Sequence, residues 1–202
     1  MKHLLIIILL TITTWNAYSQ KQKYLSLAVY NTQNTMPFGK FAGMFSEILH
    51  PGVEIGYGKI LSVKRNHEWY GNIKLSYFYH RYVQHGLPLY AELGYRHKLY
   101  KRFSAETSFG LGYMHSIPAA NKLKLDANGE YKNNKGIGRA QATASFSIGL
   151  NYSLSNKPAP IQIFTIYQQR VQTPFVRSYV PLLPYNTFMI GMNKPLKNKS
   201  KN

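Results

Sequence analysis

The residues from Arg139 to Leu154 constrain this chain more than any other stretch. They read R-A-Q-A-T-A-S-F-S-I-G-L-N-Y-S-L. Ala140, Ala142, Ala144, Phe146, Ile148, Leu150, Tyr152 and Leu154 share one parity; Arg139, Gln141, Thr143, Ser145, Ser147, Gly149, Asn151 and Ser153 share the other. Successive side chains of a strand point to opposite faces, so this is a strand with one apolar and one polar face. It is longer than the roughly 9–11 residues that a tilted strand needs to cross a bilayer. It therefore reads as one stave of a transmembrane barrel, with lipid outside and a polar lumen.

Seven further segments repeat the pattern. Lys23 to Asn31 sets Leu25, Leu27 and Val29 against Ser26 and Ala28, and Gly52 to Val63 sets Val53, Ile55, Tyr57 and Leu61 against Glu54, Gly56 and Gly58. Trp69 to Arg81, Leu89 to Tyr100 and Phe103 to His115 alternate likewise, placing Asn72, Lys74, Ser76, Glu92, Arg96, Glu106 and Ser108 on the polar side. Pro160 to Gln169 is less regular, because Phe164 and Ile166 fall on its polar face. Tyr185 to Lys194 turns Phe188, Ile190 and Met192 outward. The expected fold is all-β: an eight-stranded, antiparallel, up-and-down transmembrane barrel. The connections alternate in length. Those after strands two, four and six are short polar turns. Those after strands one, five and seven are long, and Val83 to Pro88 is a brief loop on the same side. Short periplasmic turns and longer outer loops are the outer-membrane arrangement. Within the first long connection, Phe41 to Leu49 has helical spacing, and Asp126 to Gly129 is a turn signal in the loop Ser116 to Gly138.

The first 19 residues read as a secretory signal peptide: basic Lys2 and His3, an apolar Leu4 to Ile12, and small residues at Ala17 and Ser19. The apolar run is too short for a transmembrane anchor. Residues 20–196 would then form the barrel, and 197–202 a basic disordered tail. With no cysteine, disulfides, thiolate metal sites and lipoprotein lipidation are excluded. The formal charge of +18 would ordinarily raise nucleic acid as a partner. An exported chain with no nucleic-acid motif points instead to membrane phosphates: outer-membrane phospholipid and lipopolysaccharide.

Aromatic placement agrees with two interfacial belts, Trp69, Tyr70, Tyr100, Phe103 and Tyr152 at the turn ends and Tyr30, Tyr79, Tyr113 and Tyr167 at the loop ends. Across residues 20–196 the chain resembles the small eight-stranded outer-membrane barrels of the OmpA-like or OmpX-like kind. The resemblance implies the bacterial outer membrane and a monomer. A soluble lipocalin-like barrel, apolar parity inward, is the rival fold, and alternation alone does not separate the two.

The inward charges Glu54, Lys74, Glu92, Arg96, Glu106 and Arg139 predict an ion-pair network filling the lumen, because buried charges must pair. The tight turn at Lys101-Arg102 would bring Arg96 level with Glu106. The loop lysines Lys122, Lys124, Lys132 and Lys135 predict contact with glycolipid phosphates. His50, His80, His85 and His115 converge toward the loop end, yet no pair has ligand spacing, so no metal and no cofactor are expected. His115, Ser116 and Glu130 offer a hydrolytic set. The eight-stranded lipid A deacylases carry a His-x-Ser-Asn run where this chain has His-Ser-Ile-Pro. The reading is a non-enzymatic barrel with a structural or binding role through its loops. The alternatives are a lipid A-modifying hydrolase, a narrow channel, or an accessory subunit with an envelope protein partner.

Overall fold

The computed structural model describes residues 22–35, 48–120, 123–126, 128–133, 136–156, 159–175 and 180–196. The proposed signal peptide, the helically spaced segment up to Glu47 and the basic tail lie outside the described residues. Ten strands are described: β1 (Lys23–Gln33), β2 (Pro51–Lys64), β3 (His67–His80), β4 (Gln84–Tyr100), β5 (Phe103–Pro118), β6 (Leu123–Leu125), β7 (Tyr131–Asn133), β8 (Arg139–Ser153), β9 (Gln162–Thr173) and β10 (Leu183–Pro195). Eight of them close into an antiparallel barrel in the order β1-β10-β9-β8-β5-β4-β3-β2. Closure is made by β1 on β10, from Tyr24 opposite Pro195 to Gln33 opposite Asn186. The remaining pair, β6 and β7, is a small hairpin in the connection from β5 to β8. No described helix is long and apolar enough to cross a membrane.

The apolar parity faces outward. Leu27, Ile73, Leu111 and Leu150 are exposed, whereas Gln141, Thr143, Ser145 and Ser147 are buried. The lipocalin-like alternative, with its apolar face inward, is thereby overturned. Parity also corrects the aromatic belts. Trp69, Tyr100, Phe103, Tyr79 and Tyr113 are exposed on the outer wall, but Tyr30 and Tyr70 are buried. Each of those two rings points into the lumen and lies over a glycine on the neighbouring strand, Tyr30 over Gly52 and Tyr70 over Gly94. A side chain at either glycine would collide with the ring, so inward glycines make room for inward tyrosines.

Several strands are longer than their sequence pattern indicates, and β4 and β9 matter most for the interior. β4 begins at Gln84, leaving a turn of Arg81 to Val83 where the pattern predicts a loop to Pro88. Proline has no N–H to give the ladder. Accordingly β3 and β4 pair at Leu75–Leu89 and again at Phe78–Gly86, with no pair between them opposite Pro88. β9 runs on to Thr173, and Phe164 and Ile166 on its inner face join Ala28, Tyr30, Phe78, Met114, Tyr185 and Met189 in an apolar cluster inside the barrel.

Candidate functional site: the lumen and its two mouths

The short turns and both ends of the described barrel chain lie at one mouth, called here the turn end. The longer connections lie at the other, the loop end. Between them the lumen is filled in layers.

Nearest the turn end, Arg96 is buried between two carboxylates. Its Nη2 lies 2.9 Å from Glu106 Oε2, and its Nη1 donates to Glu68. A register shift between Lys98 and Tyr100 sets this geometry, because it brings Arg96 directly opposite Glu106. Such a bulge re-aims the strand beyond it. The guanidinium also lies 4.8 Å from the Tyr70 ring centroid.

One layer up, Lys74 Nζ sits 3.3 Å from Glu54 and 3.1 Å from Glu92. Neighbouring donors add further hydrogen bonds to both carboxylates. Asn72 donates to Glu92 at 3.1 Å, Ser76 to Glu54 at 2.9 Å, and the Tyr90 hydroxyl also to Glu54 at 2.5 Å. Arg170 enters from β9, with its guanidinium 4.8 Å from the Tyr90 centroid and Nη2 donating to Gln168 at 2.7 Å.

The loop end is closed by neutral groups. Gln84 donates to Gln172 and to the Tyr185 hydroxyl, each at 2.6 Å, and Tyr185 donates to Gln172 at 2.7 Å. Gln172 in turn donates to Gln84 at 3.2 Å and to Gln141, which donates to the Pro174 carbonyl at 2.7 Å. Gln84, Gln141, Gln172 and Tyr185 are all buried.

Glu54, Lys74 and Glu92 are thus brought together, as are Arg96 and Glu106. Arg139 is not with them. It pairs with Ser116 in the register, ten residues along β5 from Glu106, which at strand rise is on the order of 30 Å. Its Nη1 donates to the Phe175 carbonyl at 2.8 Å instead. Sequence reasoning misses Glu68, which reads as part of a turn, and Arg170, which falls one residue past the expected end of its strand. Arg170 shares the inward parity of Gln168 and Gln172, so continuing the alternation finds it.

Of the four loop lysines, Lys122 and Lys135 lie outside the described residues. Lys124 is opposite Lys132 in the β6–β7 hairpin. Lys132 is exposed, and its Nζ meets Asp126 at 2.6 Å.

The hydrolytic set does not assemble. Ser116 is fully buried on the inner face, and its hydroxyl has no partner among the described residues. His115 faces the other way. Its Nε2 lies 2.9 Å from the Ile137 carbonyl, so that nitrogen is the donor, and Nδ1 accepts from the Tyr113 hydroxyl at 3.0 Å. Neither nitrogen is left to take a proton from Ser116. Glu130 is exposed in the hairpin turn. The histidines do not form a metal cluster either, as no group of three or more candidate ligands is present among the described residues. His50 and His80 stack with centroids 3.6 Å apart and planes 9° from parallel. Parallel stacked rings do not aim their in-plane lone pairs at one ion.

No protein-family model matches the chain, and no curated protein matches its sequence. Solved structures do match. Neisserial surface protein A aligns with a TM-score of 0.54 at 9% identity, covering 87% of this chain and 97% of that one. Ail, the attachment invasion locus protein of Yersinia pestis, aligns with a TM-score of 0.49 at 12% identity over 88% and 100% of the two chains. The outer membrane enzyme PagL aligns with a TM-score of 0.46 at 10% identity over 86% and 99%. The protein has the fold of the small eight-stranded outer-membrane β-barrels.

Proposed function

We propose that this protein resides in the bacterial outer membrane as a plugged, non-catalytic barrel with a structural and binding role through its loop end. The filled lumen carries this reading: two layers of buried ion pairs near the turn end, then a hydrogen-bonded glutamine cap at the other. An eight-stranded barrel is just wide enough for side chains to fill. The charged set works as a plug rather than as a conduit, and the separation of His115 from Ser116 argues against hydrolysis. In planar bilayers the purified protein is expected to show no steady conductance; discrete, ion-selective openings would replace the plug with a channel.

The binding surface in this proposal is the loop between β5 and β8. Lys122, Lys124, Lys132 and Lys135 meet outer-leaflet glycolipid phosphates there, with the turn end in the periplasm. Each lysine near an anionic surface contributes about 1 kcal/mol. Lysine meets phosphate as a point charge. Lys132 is tethered to Asp126 but remains exposed. Reversing all four charges should weaken binding to lipopolysaccharide at low salt and narrow the difference at high salt. Equal binding by the reversed protein at low salt would remove this role. A second reading, an accessory subunit of an envelope complex, is favoured by exposed Leu125 and Tyr131, which pair on the same hairpin. Site-specific crosslinking from Tyr131 in intact cells, yielding one discrete protein adduct, would select it.

A further inference from the structure

The turn end opens into a concave vestibule of about 520 Å³, within the size range of small-molecule sites. Its floor is the buried Arg96 with Glu68, and its walls carry Lys64, Arg65, Lys98, Lys101 and Arg102. Six lysine and arginine residues thus line one cavity against one carboxylate, Glu68, which Arg96 already holds; of the six, Lys101 leans over the outer Tyr100 ring and Arg102 donates to Asn156 at 3.1 Å. Among the described residues, the ion pairs do not reach the five wall cations.

This imbalance has a source. The chain has seven acidic residues in all, and Glu54, Glu68, Glu92 and Glu106 are all engaged with the lumen cations Lys74 and Arg96. Few carboxylates remain to neutralise the rim. Like charges gathered around a concavity repel one another, and low-dielectric walls focus their field. A multiply charged anion seated among them relieves that repulsion. The vestibule also offers hydroxyl and amide donors, including Ser104 and Asn156.

From this geometry we infer that the turn-end vestibule is a binding site for a small phosphate-bearing anion. Lysines supply point charges and arginines supply forked donors, the combination that suits phosphate oxygens. The cavity lies inside the barrel mouth, because Arg96 and Ser104 are inward, buried residues. The Arg96–Glu106 pair closes the floor, so the ligand binds there and does not pass through.

The test uses the full chain in phosphatidylcholine nanodiscs, titrated calorimetrically with inorganic pyrophosphate. Saturable binding is expected. Lys98→Glu, at an exposed position whose side chain supports no strand, should weaken it on the order of tenfold or more. Arg81→Glu, an equal charge change at an exposed position of the loop end, should leave it unchanged. Repeating the titration in phosphatidylglycerol nanodiscs separates the sources. Binding that persists assigns a soluble phosphate compound, and binding abolished by the anionic lipid assigns its headgroup phosphate. Absence of saturable binding, equal weakening by Arg81→Glu, or equal affinity for citrate would each overturn the inference. None of these results bears on lipopolysaccharide binding by the β5–β8 loop, so the two readings fail separately.

Discussion

The two halves of the lumen solve the same problem with different chemistry. Toward the turn end, polar interior positions are satisfied by ions: Arg96 between Glu68 and Glu106, Lys74 between Glu54 and Glu92. Toward the loop end, neutral amides and a phenol close a ring above an apolar cluster that includes Phe78, Met114 and Met189. A buried ion is costly unless its partner is present, whereas an amide that loses a partner leaves only a dipole unsatisfied. The difference teaches that the plug is unevenly robust. It is most vulnerable where it is charged.

The sharpest way to break this contrast is to remove the cation shared by two carboxylates. Lys74→Met strands Glu54 and Glu92 in the lumen. Breaking a buried pair in this manner costs roughly 3–5 kcal/mol. Urea unfolding in lipid vesicles measures it. Replacing Glu54, Lys74 and Glu92 together by apolar residues of similar volume should recover most of the loss, since a buried network is often neutral against a well-packed apolar substitute. A Lys74→Met protein as stable as the parent would erase the distinction between the halves.

Gln172→Leu probes the neutral end. It leaves Gln84, Gln141 and the Tyr185 hydroxyl short of a partner, at about 1–3 kcal/mol for groups left unsatisfied. The same unfolding assay should therefore rank it below Lys74→Met. The opposite ranking would mean that the amide cap, not the ion pairs, dominates the plug.

Gly94→Ala tests the seam between backbone and ring. A methyl group there meets the Tyr70 ring, which supports the Arg96 guanidinium. The expected loss is about 1 kcal/mol, the low end of overpacking, because the ring can tilt. Tyr70→Ala should abolish the sensitivity in a double-mutant cycle; additive effects would show that the collision is relieved elsewhere.

Much of this architecture is legible in the chain, and the reasons are local. The strict alternation in β8 decides which side chains share a face, and the exposure of Phe146, Ile148 and Leu150 shows which face is outside. A tight turn at Lys101-Arg102 brings Arg96 and Glu106 to nearly the same level by residue count alone. The bulge that completes the match is not written in residue types. Across-lumen partners are not legible either. Gln84 and Gln172, 88 positions apart, meet only because the barrel curves them together. Residue type alone puts Tyr30 and Tyr70 in the belts, yet their parity already puts them inside. Arg139 shares the polar parity of the network, but parity says nothing of height along the barrel.

The smallest expected effect lies outside the lumen, where the loop end has a charged contact of its own. In the β6–β7 hairpin, Asp126 Oδ2 meets Lys132, and Oδ1 accepts from the N–H groups of Asn128 at 2.8 Å and Glu130 at 3.2 Å. The Lys132 ammonium, followed by those two backbone donors, holds the Asp126 carboxyl below the usual carboxylate range. A carboxyl lowered on folding contributes order that is full above its unfolded value, about 3.9 for aspartate, and is lost as pH falls through the lower folded value. The hairpin should therefore stay formed from neutral pH down to about 4 and loosen only under stronger acid. The barrel, which does not share Asp126, should keep its fold over the same range. Amide resonances of Asn128 and Glu130 followed by NMR report the titration, and Asp126→Asn should flatten it. A midpoint at or above the ordinary aspartate value would show that the carboxylate is not engaged with Lys132. That lysine would then be untethered at neutral pH, and the loop would present it to glycolipid phosphate without competition from Asp126.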